Sequence, residues 1–326
     1  MGERSSLFGP VDTKRLNNKE KGFIRGTLSP GFLSVLFLAT LLSLPCPAIA
    51  DWSPLIDRLV ADGFEAPAMM DLFSRPEVKF QPRVMAIKLE ELLRRADSKP
   101  AGSPSYNSKV VHKGYLKEKV INRAHAYLRE NHELLDNIHG QYCVPKEVVV
   151  SILLLETRLG EFLGGSGAFN SLACMALCTD LETVRPYLSK KLIHPRNEDS
   201  ARALCRQKSD WAYEELKALI LYADRSGFDP LSLPGSIYGA IGLCQFMPSN
   251  IFSYGVDADQ DGRIDLFTKA DALHSMANYL REHGWKCSMD RSSQLQVILD
   301  YNKSFVYANT VLAVAEKLRV KPRVKQ

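Results

Sequence analysis

Residues 148–160 read VVVSILLLETRLG, and one carboxylate, Glu156, ends a nearly unbroken apolar run. Side chains three or four positions away share its helix face. They are Ile152, Leu153, Leu159 and Gly160, none of them basic, so no local ion pair accounts for the acid. A carboxylate in apolar surroundings is costly to ionise, and its pKa rises. A carboxylic acid held protonated near neutral pH is what general acid catalysis needs. Glycines 160, 164, 165 and 167 follow closely and let backbone or ligand approach the acid. A second chemical stretch, VDADQDGRIDLF at 256–267, has the D-x-D-x-D-G opening of an EF-hand loop. Asp257, Asp259 and Asp261 would supply oxygens to calcium, Arg263 its backbone carbonyl, and Gly262 the turn. The usual closing glutamate is replaced by Thr268.

The elements that must position these groups read as helices. Ser53-Pro54 opens one, residues 84–96 have helical periodicity, and Pro, Gly and Ser make 98–108 a loop. A long helix is expected over 116–139, ending at Gly140, and Pro145 starts the helix that carries Glu156. Residues 180–210 are polar and read as irregular. Helices are expected at 211–227, 269–283, 293–300 and 304–319, with little strand beyond a short hairpin. The fold class is therefore mainly α.

Composition narrows the function. With 326 residues, 45% hydrophobic and 24% charged, the chain is ordinary globular protein. Of its net charge of +5, the first fifty residues supply +3, from six cations and three acids. The remaining +2 is too mild for a nucleic-acid partner. The apolar run 31–44 after a basic stretch, followed by Ala48-Ile49-Ala50, marks residues 1–50 as a signal peptide or N-terminal anchor. Export implies the periplasm, with membrane association if the segment is retained, and an oxidising compartment for the cysteines. A pair among Cys174, Cys178 and Cys205 is expected from their closeness in sequence. The basic residues at the end, 321–326, form a solvated tail.

Several segments, in order, resemble the lytic murein transglycosylase B family. ETRLGEFLGG (156–165) is similar to its ETRWG signature, and GSIYGAIGLCQFMPS (235–249) to its GSFAGAMGxxQFMPS segment. DADQDGRIDLF (257–267), ANYLREHGW (277–285) and YNKSFVY (301–307) resemble three further family segments. The resemblance implies a lysozyme-like catalytic core over 141–320, an additional helical region over 51–140 packed on it, and an EF-hand-like loop over 257–271. It implies non-hydrolytic cleavage of the β-1,4 bond between N-acetylmuramic acid and N-acetylglucosamine in peptidoglycan, leaving a 1,6-anhydro ring, by a monomer acting on glycan strands. Glu156 matches the single acid/base. Ser236, Gln245, Tyr279, Tyr301, Asn302 and Tyr307 match substrate-contacting positions, and Asp271 matches the aspartate that closes the calcium loop. The chain departs from the family at Leu159, where tryptophan is usual, at Cys244, where a small residue is usual, and in 180–210, which lacks the family's paired arginines. A hydrolytic muramidase and an inactive calcium-dependent wall-binding protein are the alternatives.

Overall fold

Local sequence sets the element boundaries in the computed structural model, which describes residues 51–97 and 110–320. Proline in the first turn, where no N–H is needed, starts α1 (Ser53–Ala61) and α2 (Ala66–Ser74). Helix α3 spans Arg83–Asp97, and a 3-10 turn at Lys113–Leu116 leads into α4 (Glu118–Glu130) and α5 (His132–Tyr142). The single helix expected over 116–139 is thus broken. Asn131 leaves helical geometry (φ −120°), and its side-chain amide donates to the Tyr127 carbonyl at 2.9 Å. Such side-chain bonding to nearby backbone competes with helix continuation.

Helix α6 (Lys146–Thr157) follows extended Pro145, and Val148 to Leu154 are all buried. A helix apolar on every side has to be a core helix. It packs against α4, α5, α11 (Lys269–Glu282) and α13 (Phe305–Arg319). Helix α7 (Ala168–Leu177) packs on the long α9 (Glu198–Ser226), with the short α8 (Leu181–Val184) between them in sequence. Residues 198–210, expected to be irregular, belong to α9. Their buried side is a stripe of small residues, Ala201, Cys205 and Ser209, continued by Ala212, on which the Ser209 hydroxyl donates to the Ala176 carbonyl at 2.6 Å. The remaining helices are α10 (Pro248–Tyr254) and α12 (Arg291–Tyr301). Strands β1 (Ser166–Gly167) and β2 (Pro234–Gly235) form a minimal antiparallel pair; they are not the short hairpin expected, because α7 to α9 lie between them in sequence.

A disulfide joins Cys143, just before α6, to Cys287, after α11. This corrects the expected pairing: Cys174, Cys178 and Cys205 are free and buried, as is Cys244. Closeness in sequence was the wrong guide, because a buried thiol packs as a small apolar group. The Cys205 thiol donates to the Cys178 carbonyl at 3.3 Å instead of bonding to a second sulfur. The described residues all belong to one compact unit. Among the described residues no helix is long and apolar enough to cross a membrane. The signal or anchor segment, the loop at 98–108 and the basic tail lie outside the described residues.

Candidate active site and acidic loop

Glu156 sits in the last turn of α6 and is partly buried. Burial pushes its carboxyl up to about 7, and the hydrogen bond from Tyr307 opposes that rise. The Tyr307 hydroxyl, carried by α13, donates to Glu156 Oε1 at 2.5 Å. No second carboxylate contributes to the shift. The arrangement is a lone acid, protonated over much of the neutral range, with one donor ready to stabilise it after it ionises.

The backbone turns sharply after the acid. Arg158 (φ 55°) and Leu159 (φ 69°) are left-handed, and Gly160 (φ 92°) continues the run. Thr157 ties this turn down. Its hydroxyl lies 3.3 Å from the Leu153 carbonyl and 3.2 Å from the Leu243 carbonyl, and it accepts from the Gly160 N–H at 3.1 Å. The segment 235–249 is thereby fixed against the acid. The β1–β2 pair brings Gly164 so close to Gly235 that a Cβ there would lie 1.9 Å from the Gly235 carbonyl oxygen.

Gln245 adopts a left-handed backbone (φ 49°), and its amide donates to the carbonyls of Gly242 (2.9 Å) and Leu163 (3.2 Å). The Ser236 hydroxyl accepts from the N–H groups of Tyr238 (3.3 Å) and Ala240 (3.0 Å), shaping the turn it sits in. The Tyr301 hydroxyl donates to the Cys244 carbonyl at 2.5 Å. Tyr279 is placed differently from a free sugar platform. It is buried, stacks on His283 at 3.9 Å, packs against Phe246, Tyr254 and Tyr301, and donates to the Asp300 carbonyl. Asn302 is exposed at the end of α12. The buried Cys244 thiol is pushed up to about 12, which leaves it inert as a nucleophile.

Beside the acid opens a cleft of about 650 Å³. Its walls include Tyr115, Leu154, Leu155 and Tyr307. The sequence reading missed Tyr115 and Thr157. Tyr115 reaches the site from before α4, with no spacing signal to link it to Glu156. Thr157 lies inside the ETR motif, where its type was legible and its partners were not.

In the acidic loop, carboxylate oxygens of Asp257, Asp259 and Asp271 lie within 4.8 Å of one another. Asp257 accepts from the N–H groups of Asp261 (3.1 Å) and Gly262 (2.9 Å). Buried Asp271, in the first turn of α11, accepts from Ala258 N–H (2.8 Å) and Asp265 N–H (2.7 Å), clamping both ends of the loop. Asp261 is not gathered with them; it pairs with Arg263 at 3.1 Å.

The comparisons with known proteins agree with this architecture. Residues 50–295 match the model of the transglycosylase SLT domain, and the chain belongs to that family. It is 27% identical over 238 residues to the membrane-bound lytic murein transglycosylase B of Escherichia coli strain K12. That match covers 71% of this chain but only 56% of the relative, little more than half its length. Its fold is similar to that of Escherichia coli Slt35 in complex with calcium, with TM-score 0.61 and 20% identity over 82% of this chain and 92% of that one. Pseudomonas aeruginosa SltB3 in complex with NAG-anhNAM-pentapeptide gives TM-score 0.59 and 20% identity over 82% and 78% of the two chains. The fold is the mainly α, lysozyme-like one that the sequence motifs implied.

Proposed function

We propose that the chain is a peptidoglycan lytic transglycosylase that cuts the β-1,4 bond between N-acetylmuramic acid and N-acetylglucosamine without water. The observation that carries the reading is Glu156: a single buried-edge acid, raised to about 7, with Tyr307 as its hydrogen-bond donor. In the first step its carboxyl gives a proton to the glycosidic oxygen as the bond to the muramic anomeric carbon breaks. The resulting carboxylate, held by the Tyr307 hydroxyl, then takes the proton of the muramic 6-hydroxyl. That oxygen bonds to the anomeric carbon and closes the 1,6-anhydro ring. One carboxyl group serves both steps and ends protonated again, unlike the paired carboxylates of most glycosidases. Gln245, Ser236, Tyr301, Asn302 and the aromatic cluster around Tyr279 shape and support the glycan groove.

The reading extends to calcium. Three carboxylates converging around a buried aspartate repel one another without a cation, and hard oxygen donors suit calcium. Asp257, Asp259 and Asp271 would hold it with the Arg263 carbonyl, and Asp261 would join by leaving Arg263. The ion's role is to tie the loop to α11. The relative's membrane-bound name, the expected export segment and the Cys143–Cys287 disulfide support action in the periplasm.

Mass spectrometry of digested sacculi tests the assignment. The wild type should release muropeptides with anhydro ends, lighter by one water than reducing ends, and Glu156→Gln should release none. Reducing ends would mean hydrolysis instead, and anhydro release by Glu156→Gln at the wild-type rate would remove the acid from the mechanism.

A further inference from the structure

A second cavity, of about 370 Å³, opens where the end of α9, α10 and the acidic loop meet, and it shares no lining residue with the cleft beside Glu156. Ile251 and Phe252 from α10 and Ile264 from the loop give it apolar walls. Phe252 is 43% exposed. The Ser226 hydroxyl donates to the Ile264 carbonyl at 3.2 Å, so the loop wall is tied to the end of α9. Arg225 lines the cavity from α9. Its guanidinium lies 4.9 Å over the Phe252 ring and has no carboxylate partner among the described residues.

A second cation is present but occupied. Arg263 lines the cavity from the loop, and its guanidinium is paired with the Asp261 carboxylate at 3.1 Å. Asp257 lines the cavity too. Two cations thus stand against two acids, and an anion entering here gains little. Calcium in the loop changes that balance. Asp261 lies two residues after Asp259 and four after Asp257, both of which already converge with Asp271. Turning inward to join them, Asp261 gives up Arg263, while the charge of Asp257 is taken up by the ion. The cavity keeps both guanidiniums and loses the two acids that balance them.

Planar guanidiniums recognise carboxylates through paired hydrogen bonds. The space is at the small end of ligand sites, which run to roughly 300–1,000 Å³, and it suits the last residue or two of a chain. A carboxylate beside a bulky apolar side chain is what a polypeptide offers at its C-terminus. We propose that this cavity docks the C-terminal carboxylate and apolar last residue of a partner polypeptide, and that it opens to that ligand when Asp261 leaves Arg263 for calcium. The inference rests on the calcium reading of the loop and adds a coupling to it. Calcium and the partner then favour each other by one and the same factor.

Isothermal titration calorimetry on the whole chain tests this, with acetyl-leucyl-phenylalanine as the probe and its C-terminal amide as the control. In calcium the free acid should bind about tenfold tighter than the amide, the scale of one charged hydrogen-bonded pair. Chelation should weaken the free acid about tenfold, and saturating free acid should tighten calcium by that same factor. Arg263→Gln carries the distinctive signature. Calcium should bind about threefold tighter than in the wild type, the scale of one exposed ion pair no longer to be broken, while the peptide loses its dependence on calcium. Arg225→Gln should weaken the peptide about tenfold and leave calcium affinity without peptide unchanged. Both arginines are exposed, so neither substitution disturbs the core. A free acid that binds no tighter than the amide overturns the carboxylate assignment, and acetate that binds as tightly as the peptide overturns the apolar half. Peptide affinity indifferent to calcium, while the heat of calcium binding is present, overturns the coupling and leaves the calcium loop standing. No heat of calcium binding overturns both and leaves the chemistry at Glu156 untouched.

Discussion

The burial that raises the Glu156 carboxyl has a stability cost that Glu156→Gln should reveal. The carboxyl titrates at about 7 in the folded chain, against an ordinary glutamate value of 4.5. Between those values the folded state keeps a proton that the unfolded chain has released. Stability therefore falls as pH rises through this window, and the loss is complete above the folded pKa. At about 1.4 kcal/mol for each pH unit, the full loss is at most about 3.5 kcal/mol, of which about 3 falls between pH 4.5 and pH 8, less to the extent that the carboxyl meets solvent. Glutamine has nearly the same shape, keeps an oxygen to accept from Tyr307, and carries no charge at any pH. Comparing the two proteins at two pH values cancels the fixed differences between acid and amide. Urea unfolding at pH 4.5 and pH 8 should show Glu156→Gln gaining up to about 3 kcal/mol on the wild type at the higher pH, or roughly 6 °C in Tm. Other buried carboxylates, such as Glu215, whose pKa is also raised by burial, change equally in both proteins and drop out. A difference between variant and wild type that does not change with pH would refute the account, because it would mean that the native site ionises Glu156 as easily as water does.

Removing the Tyr307 hydroxyl should move the chemistry in the same direction. It lowers the Glu156 pKa, so Tyr307→Phe should shift the alkaline fall of kcat/KM upward by about one pH unit, while the turnover itself drops for want of a donor to the carboxylate. Replacing both Cys143 and Cys287 by serine frees a loop of 144 residues and should cost about 5 kcal/mol by chain entropy, read as a loss in urea midpoint with a steeper slope, since the unlinked unfolded chain exposes more surface. Chelation should lower the melting temperature before it changes the anhydro product, and Asp271→Asn should abolish that calcium-dependent shift; a melting curve indifferent to calcium would leave the acidic loop as a capped turn.

The parts of the site legible in the sequence are those whose physics is local. An acid closing an apolar run, a proline before α6, glycines after it and alternate aspartates with a glycine all state their environment within a few residues. What stayed hidden depends on partners far along the chain. Thr157 and Leu243 meet through a backbone carbonyl, which no side-chain pattern reports. The polarity of 180–210 concealed the start of α9, because the charges there serve ion pairs between elements. Glu182, Arg185, Glu198 and Arg202 bind one another across α8, the following turn and α9. The cysteines misled for a related reason. Pairing needs two sulfurs on converging elements, and only Cys143 and Cys287, at the ends of α5 and α11, converge among the described residues.

The departures from the family pattern fall where the structure uses backbone more than side chain. Leu159 stands where tryptophan is usual, and what holds that position is its N–H on the Leu153 carbonyl within a left-handed turn. Cys244 stands where a small residue is usual. Its carbonyl receives the Tyr301 hydroxyl, and its side chain is wholly buried, its thiol raised by burial and by the nearby Glu156 charge. Both substitutions alter packing and leave the hydrogen bonds that aim Glu156, Tyr307 and Gln245 intact.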